Sequence, residues 1–299
     1  MTFDKTSKIA FVGSGAVGKT IAVALSRQGY PVVASASRTF ASAQDLAGRI
    51  EGCVAYESIQ DAADKADFVF ITSFDGVIKT IADSINWRAD QGVAHCSGVT
   101  SLDVFEGPVA LGAEVGSLHP LQAFASVETA LEALPGSTFG IEGAGDVQTY
   151  LTQVATDLGG NPISLRSEDK PLYHASVVMI GGVLMGQAAL IAQVWEDRFG
   201  VPRNEANSSL MPILKGVADI LATNGYPAGI AGPYVRGDVG TVKKHLDSMK
   251  SVSVEALQMY ATSALAGLPF ALEKGVADPA DAKEIERLLK EYIADNPIT

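Results

Sequence analysis

The stretch Lys8-Ile-Ala-Phe-Val-Gly-Ser-Gly-Ala-Val-Gly18 decides the fold of this chain. A short apolar run, residues 8–12, leads directly into a GxGxxG pattern at residues 13–18, and an apolar periodic segment follows. A strand, a glycine-rich turn and a helix in this order are typical of a dinucleotide-binding Rossmann fold. The flanking elements make this prediction far more specific than the six letters of the motif alone.

The three motif glycines have separate tasks in such a turn. Gly13 allows the chain to turn tightly off the strand, Gly15 allows the backbone to approach a pyrophosphate, and Gly18 allows the helix to pack closely on the sheet. The helix N-terminus adds free N–H groups and the positive end of the helix dipole. We therefore expect the cofactor to contact Gly13, Ser14, Gly15, Ala16, Val17 and Gly18, together with Ser73 at the end of a later predicted strand.

Arg38 predicts which dinucleotide is bound. Enzymes that use NAD place an acidic residue on the ribose 2′-hydroxyl about twenty residues beyond the motif, whereas this chain has Arg38 there, flanked by Ser37 and Thr39. A guanidinium and two hydroxyls suit a 2′-phosphate, so we predict NADP. The alternative is a solvated arginine at a strand end, with Ser37 or Thr39 capping the next helix.

Composition narrows the class of protein. The chain has 299 residues, of which 47% are hydrophobic, which is enough for two domains with generous cores. The net charge of −12 argues against nucleic acid or an anionic membrane as the main partner. Cys53 and Cys96 lack metal-ligand spacing, so we expect core residues, no metal and a reducing cytoplasm. Residues 1–8 lack a signal-peptide core, and polar residues interrupt the apolar run 175–195, which favours a buried helix over a membrane span.

Strand and helix patterns alternate in the first half of the chain and give way to helices alone in the second. Such alternation predicts an α/β fold with a doubly wound parallel Rossmann sheet and helical crossovers. After Arg166 only long helical segments follow. We therefore predict an NADP-binding Rossmann domain over residues 1–166 and an all-helical substrate and dimerisation domain over residues 167–299. The predicted helices of the second domain cover residues 171–199, 203–223, 239–249, 254–274 and 279–292.

Five phrases in the chain carry a resemblance to a known group: GSGAVG, HCSG, SLHPLQAF, DKPLYHAS and GPYVRGDVGTV. Together they resemble a bacterial group of Rossmann-like proteins whose C-terminal domain has no known function. The layout is similar to that of the 6-phosphogluconate dehydrogenase-like superfamily, which includes ketopantoate reductases and the prephenate and 3-hydroxyacid dehydrogenases. The resemblance spans nearly the whole chain. It implies NADP binding, oxidoreductase chemistry and a homodimer formed through the helical domain.

His119 is the first candidate for catalysis. It ends a predicted strand, and Ser97 closes the preceding one. Ligands of doubly wound sheets lie beyond the carboxyl ends of the strands, so both side chains should approach the nicotinamide, with Gln122 beside the substrate. Imidazole titrates in the range that suits a proton donor for hydride transfer. The resemblance to prephenate dehydrogenases implies that Ser97 and His119 touch a substrate hydroxyl, whereas the alternative is a histidine that is merely hydrogen-bonded at a strand end.

The second candidate cluster is Lys170, Tyr173 and His174, at the start of the long helix. Pro171 suits the first helical turn, which makes Lys170 a cap-position residue. The superfamily resemblance implies that this helix brings a lysine, and often an asparagine, to the substrate. From their place in the first turn of the helix, we assign Lys170 and His174 to catalysis and Tyr173 to substrate binding. Gly182 stands where similar proteins often have the asparagine, so such a pair is not assumed. A solvated Lys170 and a core His174 are the alternatives.

A third cluster, Gly232-Pro-Tyr-Val-Arg-Gly-Asp-Val-Gly-Thr241, joins a loop to a helix. Asp238 is expected to cap this helix. Arg236 is a candidate for binding a substrate carboxylate or a cofactor phosphate, because so acidic a protein must draw its anion-binding charge from few cations. His245, two turns into the helix, is expected to be structural or solvated.

These residues lead to one main functional prediction and two alternatives. The main prediction is an NADP(H)-dependent oxidoreductase that transfers hydride to or from a small anionic carbonyl, hydroxy, imine or amine compound bound between the domains. His119 would transfer the proton, and Lys170 would polarise the oxygen or bind a carboxylate. The alternatives are an NADP-binding sensor or assembly protein without turnover, and a prephenate-like dehydrogenase.

Overall fold

A computed structural model describes residues 3–298 of the chain. The chain divides into two compact units, unit 1 up to Met179 and unit 2 from Ile180 onward. This division falls within the long helical segment, whereas the sequence placed the boundary near Arg166. Unit 1 therefore contains the start of that segment together with the sheet.

Unit 1 is built on one eight-stranded sheet with the strand order β3-β2-β1-β4-β5-β6-β7-β8. Its strands are β1 (Ile9–Val12), β2 (Val32–Ala36), β3 (Val54–Tyr56), β4 (Phe68–Ile71), β5 (Gly92–His95), β6 (Glu114–Pro120), β7 (Thr138–Gly143) and β8 (Asn161–Ser164). Strands β1 to β6 are parallel, as the alternating pattern predicted. The sheet is mixed rather than wholly parallel, because β7 pairs antiparallel with β6 and parallel with β8.

The strands of unit 1 feed two hydrophobic cores, one on each face of the sheet. Ile9 and Phe11 of β1 pack into one core, while Ala10 and Val12 pack into the other. Successive strand side chains point to opposite faces, so a strand that is apolar at every position is covered on both sides. The helices of this region are α1 (Ala16–Arg27), α2 (Phe40–Ala47), α3 (Ile59–Ala63), α4 (Ile78–Asp83), α5 (Glu106–Ala110), α6 (Val127–Ala133) and α7 (Gly145–Asp157).

The long apolar segment folds as α8 (Lys170–Val178), a π-helical turn (Met179–Val183) and α9 (Leu184–Phe199). Among the described residues, the helix Ser167–Phe199 is the one helix long and apolar enough to cross a membrane, with a mean hydropathy of 1.9. One helix of this length and composition is weak evidence for a membrane span. The sequence predicted a buried helix, but only 6% of its apolar window is buried. That prediction is wrong for a single chain, because large side chains such as Met185 stay exposed.

Unit 2 is helical. It contains α9, α10 (Arg203–Asn224), α11 (Val239–Lys250), α12 (Val254–Lys274) and α13 (Pro279–Asp295), close to the predicted bounds. Its core lies among α11, α12 and α13, where Leu246, Leu257 and Ile285 are fully buried. Asp238 caps α11 as predicted, because its carboxylate accepts the Thr241 N–H at 3.0 Å.

Candidate functional site

The GxGxxG turn depends on close backbone approach at Gly13 and Gly18. Gly13 has a φ of +108°, and a Cβ atom placed there would lie 2.8 Å from Ser73 Oγ. A Cβ atom on Gly18 would lie only 2.5 Å from the Gly13 carbonyl oxygen. Thr72 Oγ1 donates to that same oxygen at 2.5 Å, which fixes the turn to the end of β4. Both positions therefore require glycine.

Gly15 leaves the space in front of α1 open. Apart from Gly15 and its two chain neighbours, no atom of the described residues lies within 4 Å of a Cβ atom placed on Gly15, and α1 begins at Ala16. The buried Ser14 hydroxyl instead faces inward, 3.0 Å from Ser35 Oγ on β2, and Val17 packs partly against the core. The open space at the helix N-terminus fits a pyrophosphate, whose charge the free N–H groups and the helix dipole stabilise.

Arg38 lies just beyond β2, at the same carboxyl edge of the sheet as the turn. Its side chain and that of Thr39 are exposed, while Ser37 is half-buried. Thr39 occupies the N-cap position of α2 without a side-chain capping bond. A guanidinium and a hydroxyl group are therefore available to a phosphate at this edge.

His119 lies at the end of β6 and contacts α8. Its Nδ1 atom lies 3.0 Å from the Tyr173 hydroxyl, and its ring centroid lies 5.7 Å from that of His174. Both imidazoles pack on Gly98, in the loop after β5, because a Cβ atom there would lie 2.6 Å from His174 Cδ2 and 2.8 Å from His119 Nε2. The structure thus brings together three residues that the sequence had placed in two separate clusters.

His119 is neutral at physiological pH. Its pKa is lowered to about 4, chiefly by burial and then by the neighbouring His174 and Lys170, while Asp75 opposes the shift. Burial raises the pKa of Tyr173 to about 12, so the phenol keeps its proton. A phenol is a stronger donor than acceptor, and we therefore assign Tyr173 as the donor to Nδ1, which places the imidazole proton on Nε2.

Ser97 organises the loop that carries Gly98. The residue is 6% exposed, and its hydroxyl accepts the N–H groups of Thr100 at 3.0 Å and Val99 at 3.3 Å while it donates to Thr100 Oγ1 at 2.8 Å. The Ser97 N–H donates to His95 Nδ1 at 3.2 Å. The Ser97 hydroxyl therefore takes part in the loop's own hydrogen bonds, and its contact with a substrate stays a prediction.

Lys170 is fully buried, with 0% exposure, which corrects the alternative of a solvated surface charge. Its role towards a substrate stays a prediction. Its Nζ atom lies 3.0 Å from Glu142 Oε2 and donates to Ser117 Oγ at 2.8 Å. Burial lowers the pKa of Lys170, and the hydrogen bond with Glu142 opposes that shift. The residue is the first of α8, and Asp169 holds the N-cap position predicted for it.

Glu142 is the partner that sequence reasoning missed. It lies on β7, is 5% exposed and stands directly opposite Ser117 in the β6–β7 ladder. A signal was present in the sequence, because a carboxylate in an otherwise apolar strand must find a partner. The partner itself could not be named before the antiparallel register was known.

The remaining predicted residues lie in different surroundings. The Gln122 amide donates to the Ala133 carbonyl at 2.9 Å and to Ser137 Oγ at 3.1 Å, so it fixes the segment between β6 and β7. Arg236, in unit 2, is exposed. His245 is exposed on α11, in agreement with a structural or solvated role.

Comparison with protein families gives two matches on different parts of the chain. A family described as "NADP oxidoreductase coenzyme F420-dependent" matches residues 8–96, and a domain of unknown function, DUF2520, matches residues 137–266. Both matches lie on one chain. They confirm the expected pairing of a Rossmann-like oxidoreductase domain with a C-terminal domain of unknown function, while the wider superfamily assignment stays a prediction. No curated protein matches the chain.

Solved structures share the fold along most of the chain. A protein described as an NADP oxidoreductase, from Bacteroides fragilis, has 20% identity and a TM-score of 0.66 over 96% of this chain and 98% of its own. A Thermotoga maritima protein has 24% identity and a TM-score of 0.73 over 88% and 99%. A reductive aminase from Aspergillus terreus, in complex with NADPH and ethyl-5-oxohexanoate, has 16% identity and a TM-score of 0.60 over 97% and 94%. These likenesses show the fold, and the names agree with the expected NADP cofactor.

The buried histidines predict how stability depends on pH. The folded-state pKa is lowered from 6.5 to about 4 for His119 and to about 3 for His95, in both cases mainly by burial. Unfolding therefore takes up protons below pH 6.5, and the free energy of unfolding should fall as the pH drops from 6.5 towards 4, by at most about 1.4 kcal/mol per pH unit for each histidine. Urea denaturation at a series of pH values measures this slope.

The comparison variant for that slope is His245→Gln, at an exposed position where Nδ1 lies 3.0 Å from the Tyr260 hydroxyl. It shows how much of the slope arises outside the two buried histidines. A constant free energy of unfolding between pH 6.5 and 5 would contradict the assignment of two buried neutral histidines.

Proposed function

We propose that the chain is an NADP(H)-dependent oxidoreductase that transfers hydride between the nicotinamide and a small carbonyl or imine compound, or the corresponding alcohol or amine. The observation that carries the proposal is the hydrogen-bonded pair of His119 and Tyr173, at the carboxyl edge of the sheet that also carries the GxGxxG turn. Ligands of open α/β sheets bind at that edge. The oxidoreductases that share the fold support the same class of reaction.

The turn and the end of β2 would hold the cofactor. Gly15 and the first N–H groups of α1 would bind the pyrophosphate, and Arg38 with Thr39 would bind the 2′-phosphate. Bound NADPH supplies the hydride. Ser73, whose Oγ atom would lie 2.8 Å from a Cβ atom on Gly13, borders the turn and is proposed to contact the cofactor there.

His119 and Tyr173 would supply the proton that reduction requires. Nε2–H donates to the oxygen or nitrogen on which negative charge develops, and Nδ1 takes the Tyr173 proton as the Nε2 proton leaves. The imidazole is therefore neutral before and after the step, and Tyr173 recovers its proton from water. Burial raises the pKa of Tyr173 to about 12, so the phenol keeps its proton until the Nε2 proton leaves.

An anionic group on the substrate would need a cation other than Lys170. The Lys170 ammonium is already paired with Glu142 in the interior. Arg236, exposed in unit 2, stays a prediction from the sequence for binding such a group. His174, which packs on Gly98 beside His119, is proposed to border the substrate.

The proposal is tested by NADPH consumption. The purified chain is mixed with NADPH and a panel of 2-keto acids, 3-keto acids and cyclic imines, and the nicotinamide absorbance is followed. We expect the wild-type chain to consume NADPH with at least one of these substrate classes. The double variant Tyr173→Phe/His119→Ala should consume none. Tight NADPH binding without consumption by any class would overturn the proposal in favour of a sensor.

One observation favours the sensor as a second candidate function. Lys170, which the superfamily resemblance assigned to the substrate, is sealed in the interior. A chain that binds NADP without turnover has no use for an exposed lysine. The prephenate-like dehydrogenase remains the other alternative, and the hydrogen bonds of the Ser97 hydroxyl inside its own loop give it less support.

Arg38→Ala is predicted to weaken NADPH binding far more than NADH binding. Charge-assisted hydrogen bonds contribute about 1.5–3 kcal/mol, so the Kd for NADPH should rise about 10- to 100-fold, while the Kd for NADH changes little. Calorimetric titration with both cofactors measures the two constants. Arg27→Ala, at an exposed arginine in the last turn of α1, is the control. Equal losses for both cofactors would contradict the role of Arg38.

We also propose a cytoplasmic homodimer. Large apolar side chains stand exposed along α9 and α10, where Met185 is 75%, Ile213 67% and Val217 47% accessible. Monomeric proteins rarely expose so many on neighbouring helices, and a second copy would cover them. A membrane is a poorer partner for this segment, because its first turn is held in the unit 1 interior by Lys170. The free, partly buried Cys53 and Cys96 suit a reducing compartment.

The oligomeric state is measured by light scattering after size exclusion. We expect twice the chain mass of 31.1 kDa. Ile213→Glu should shift the population to monomers, whereas Val54→Glu, at a half-exposed valine of β3, should not. A wild-type chain that elutes at its monomer mass would exclude the dimer.

A further inference from the structure

The buried ion pair between Lys170 and Glu142 has no part in the proton transfer proposed above. Both side chains lie in the interior of unit 1, with 0% and 6% exposure, and their charged atoms are 3.0 Å apart. Desolvation makes such a pair costly, and apolar residues of similar size often stabilise a fold as well or better. The pair therefore calls for an explanation other than stability.

Glu142 connects segments on both sides of the histidine site. Its Oε1 atom accepts a hydrogen bond from Ser167 Oγ, just before α8, and the Leu102 N–H at 3.4 Å, just after the Ser97 loop. Its Oε2 atom holds Lys170, which in turn donates to Ser117 on β6. One carboxylate therefore fixes the start of α8 relative to β6, β7 and the loop that packs on His119.

The bonds between α8 and β6 form two successive rungs. Lys170 and Tyr173 lie three residues apart on one face of the helix, and Ser117 and His119 lie two residues apart on one face of the strand. Lys170 binds Ser117 at 2.8 Å, and Tyr173 binds His119 at 3.0 Å. The buried rung therefore lies one helical turn from the half-buried one.

We propose that Lys170 and Glu142 are positioning residues, whose ion pair holds α8 against β6 so that Tyr173 donates to Nδ1 of His119 and the imidazole proton stays on Nε2. The inference rests on the proposed function for the use made of that proton. Its geometry does not depend on turnover. Directional bonds suit this task better than apolar contacts, because an apolar side chain would allow the helix to shift along the strand.

The experiment reads the tautomer of His119 without substrate. The chain contains four histidines, so nitrogen-15 labelling of histidine gives a small set of ring signals, and His119→Asn assigns the signal of interest. In the wild type at neutral pH we expect a single Nε2–H form with a hydrogen-bonded Nδ1. In Lys170→Met/Glu142→Gln, which removes both charges together, we expect loss of the single form and a mixture of tautomers.

Three further variants make the result decisive. Tyr173→Phe gives the spectrum of a His119 that has lost its donor. Lys290→Met/Glu286→Gln makes the same exchange in an exposed pair of α13 and should leave the His119 signal unchanged. Ser167→Ala removes only one hydrogen bond to Glu142, at an exposed residue, and should shift the signal in the same direction by a smaller amount.

An unchanged, single-tautomer His119 signal in the folded Lys170→Met/Glu142→Gln chain overturns the proposal. If that double variant does not fold, an unchanged signal in Ser167→Ala overturns it instead. These readouts are separate from the proposed function, since a chain that never consumes NADPH still reports whether the ion pair fixes the tautomer.

Discussion

His119→Ala is expected to lower kcat/KM for NADPH-dependent reduction about 10²- to 10⁴-fold, the usual contribution of a positioned proton donor. The residue lies on β6, three strands along the sheet from β1 and the GxGxxG turn, so the Kd for NADPH should stay within a factor of about two. Stopped-flow absorbance with the first active substrate of the panel measures the turnover, and fluorescence titration measures the binding.

His119→Asn separates proton transfer from packing. The asparagine side chain offers an oxygen to the Tyr173 hydroxyl but has no group in the place of Nε2–H. We therefore expect His119→Asn to be as inactive as His119→Ala. Its unfolding temperature should lie closer to that of the wild type. Full turnover in either variant would require the catalytic role of His119 to be withdrawn.

Lys170→Met is expected to lower the free energy of unfolding by about 3–5 kcal/mol, which is the cost of leaving one member of a buried ion pair without its partner. The Glu142 carboxylate, at 6% exposure, would lose the Lys170 ammonium that lies 3.0 Å away. Urea denaturation at pH 7 measures this loss. A change below 1 kcal/mol would show that the pair behaves like a solvated one.

The double variant Lys170→Met/Glu142→Gln completes the cycle. Neither residue is then charged, so the double variant should be more stable than Lys170→Met alone. The glutamine keeps an acceptor for Ser167 and for the Leu102 N–H. If the loss of stability in the double variant equals the sum of the losses in Lys170→Met and Glu142→Gln, the two side chains are not directly coupled.

Local patterns predicted much of unit 1 because their causes are local. The GxGxxG turn needs Gly13 and Gly18 for steric reasons that any strand-turn-helix of this kind shares. His119 was placed at a strand end because the apolar run stops there. The bounds of the helices in unit 2 were predictable because helix caps are local. Asp238, for example, accepts a hydrogen bond from Thr241, only three positions later in the sequence.

Features that depend on long-range register were not predicted. The reversal of β7 decides that Glu142 stands opposite Ser117, and no local pattern near either residue reveals it. The burial of Lys170 follows from that pairing and could not be inferred from the DKPLYHAS phrase alone. The exposure of α9 was not predicted either. An apolar sequence does not reveal whether the segment is covered by its own chain or by another molecule.

Because Gly98 contacts both imidazoles, residues 98, 119 and 174 are expected to change together in evolution. A methyl group on Gly98 would press against His119 and His174 at less than 3 Å, so residue 98 can gain a side chain only when an aromatic neighbour shrinks. Homologues are therefore expected to change these three positions together, and alanine or serine at 98 should mark lineages that have abandoned the paired histidines. An alignment in which residue 98 gains a side chain while both histidines are kept would contradict this steric coupling.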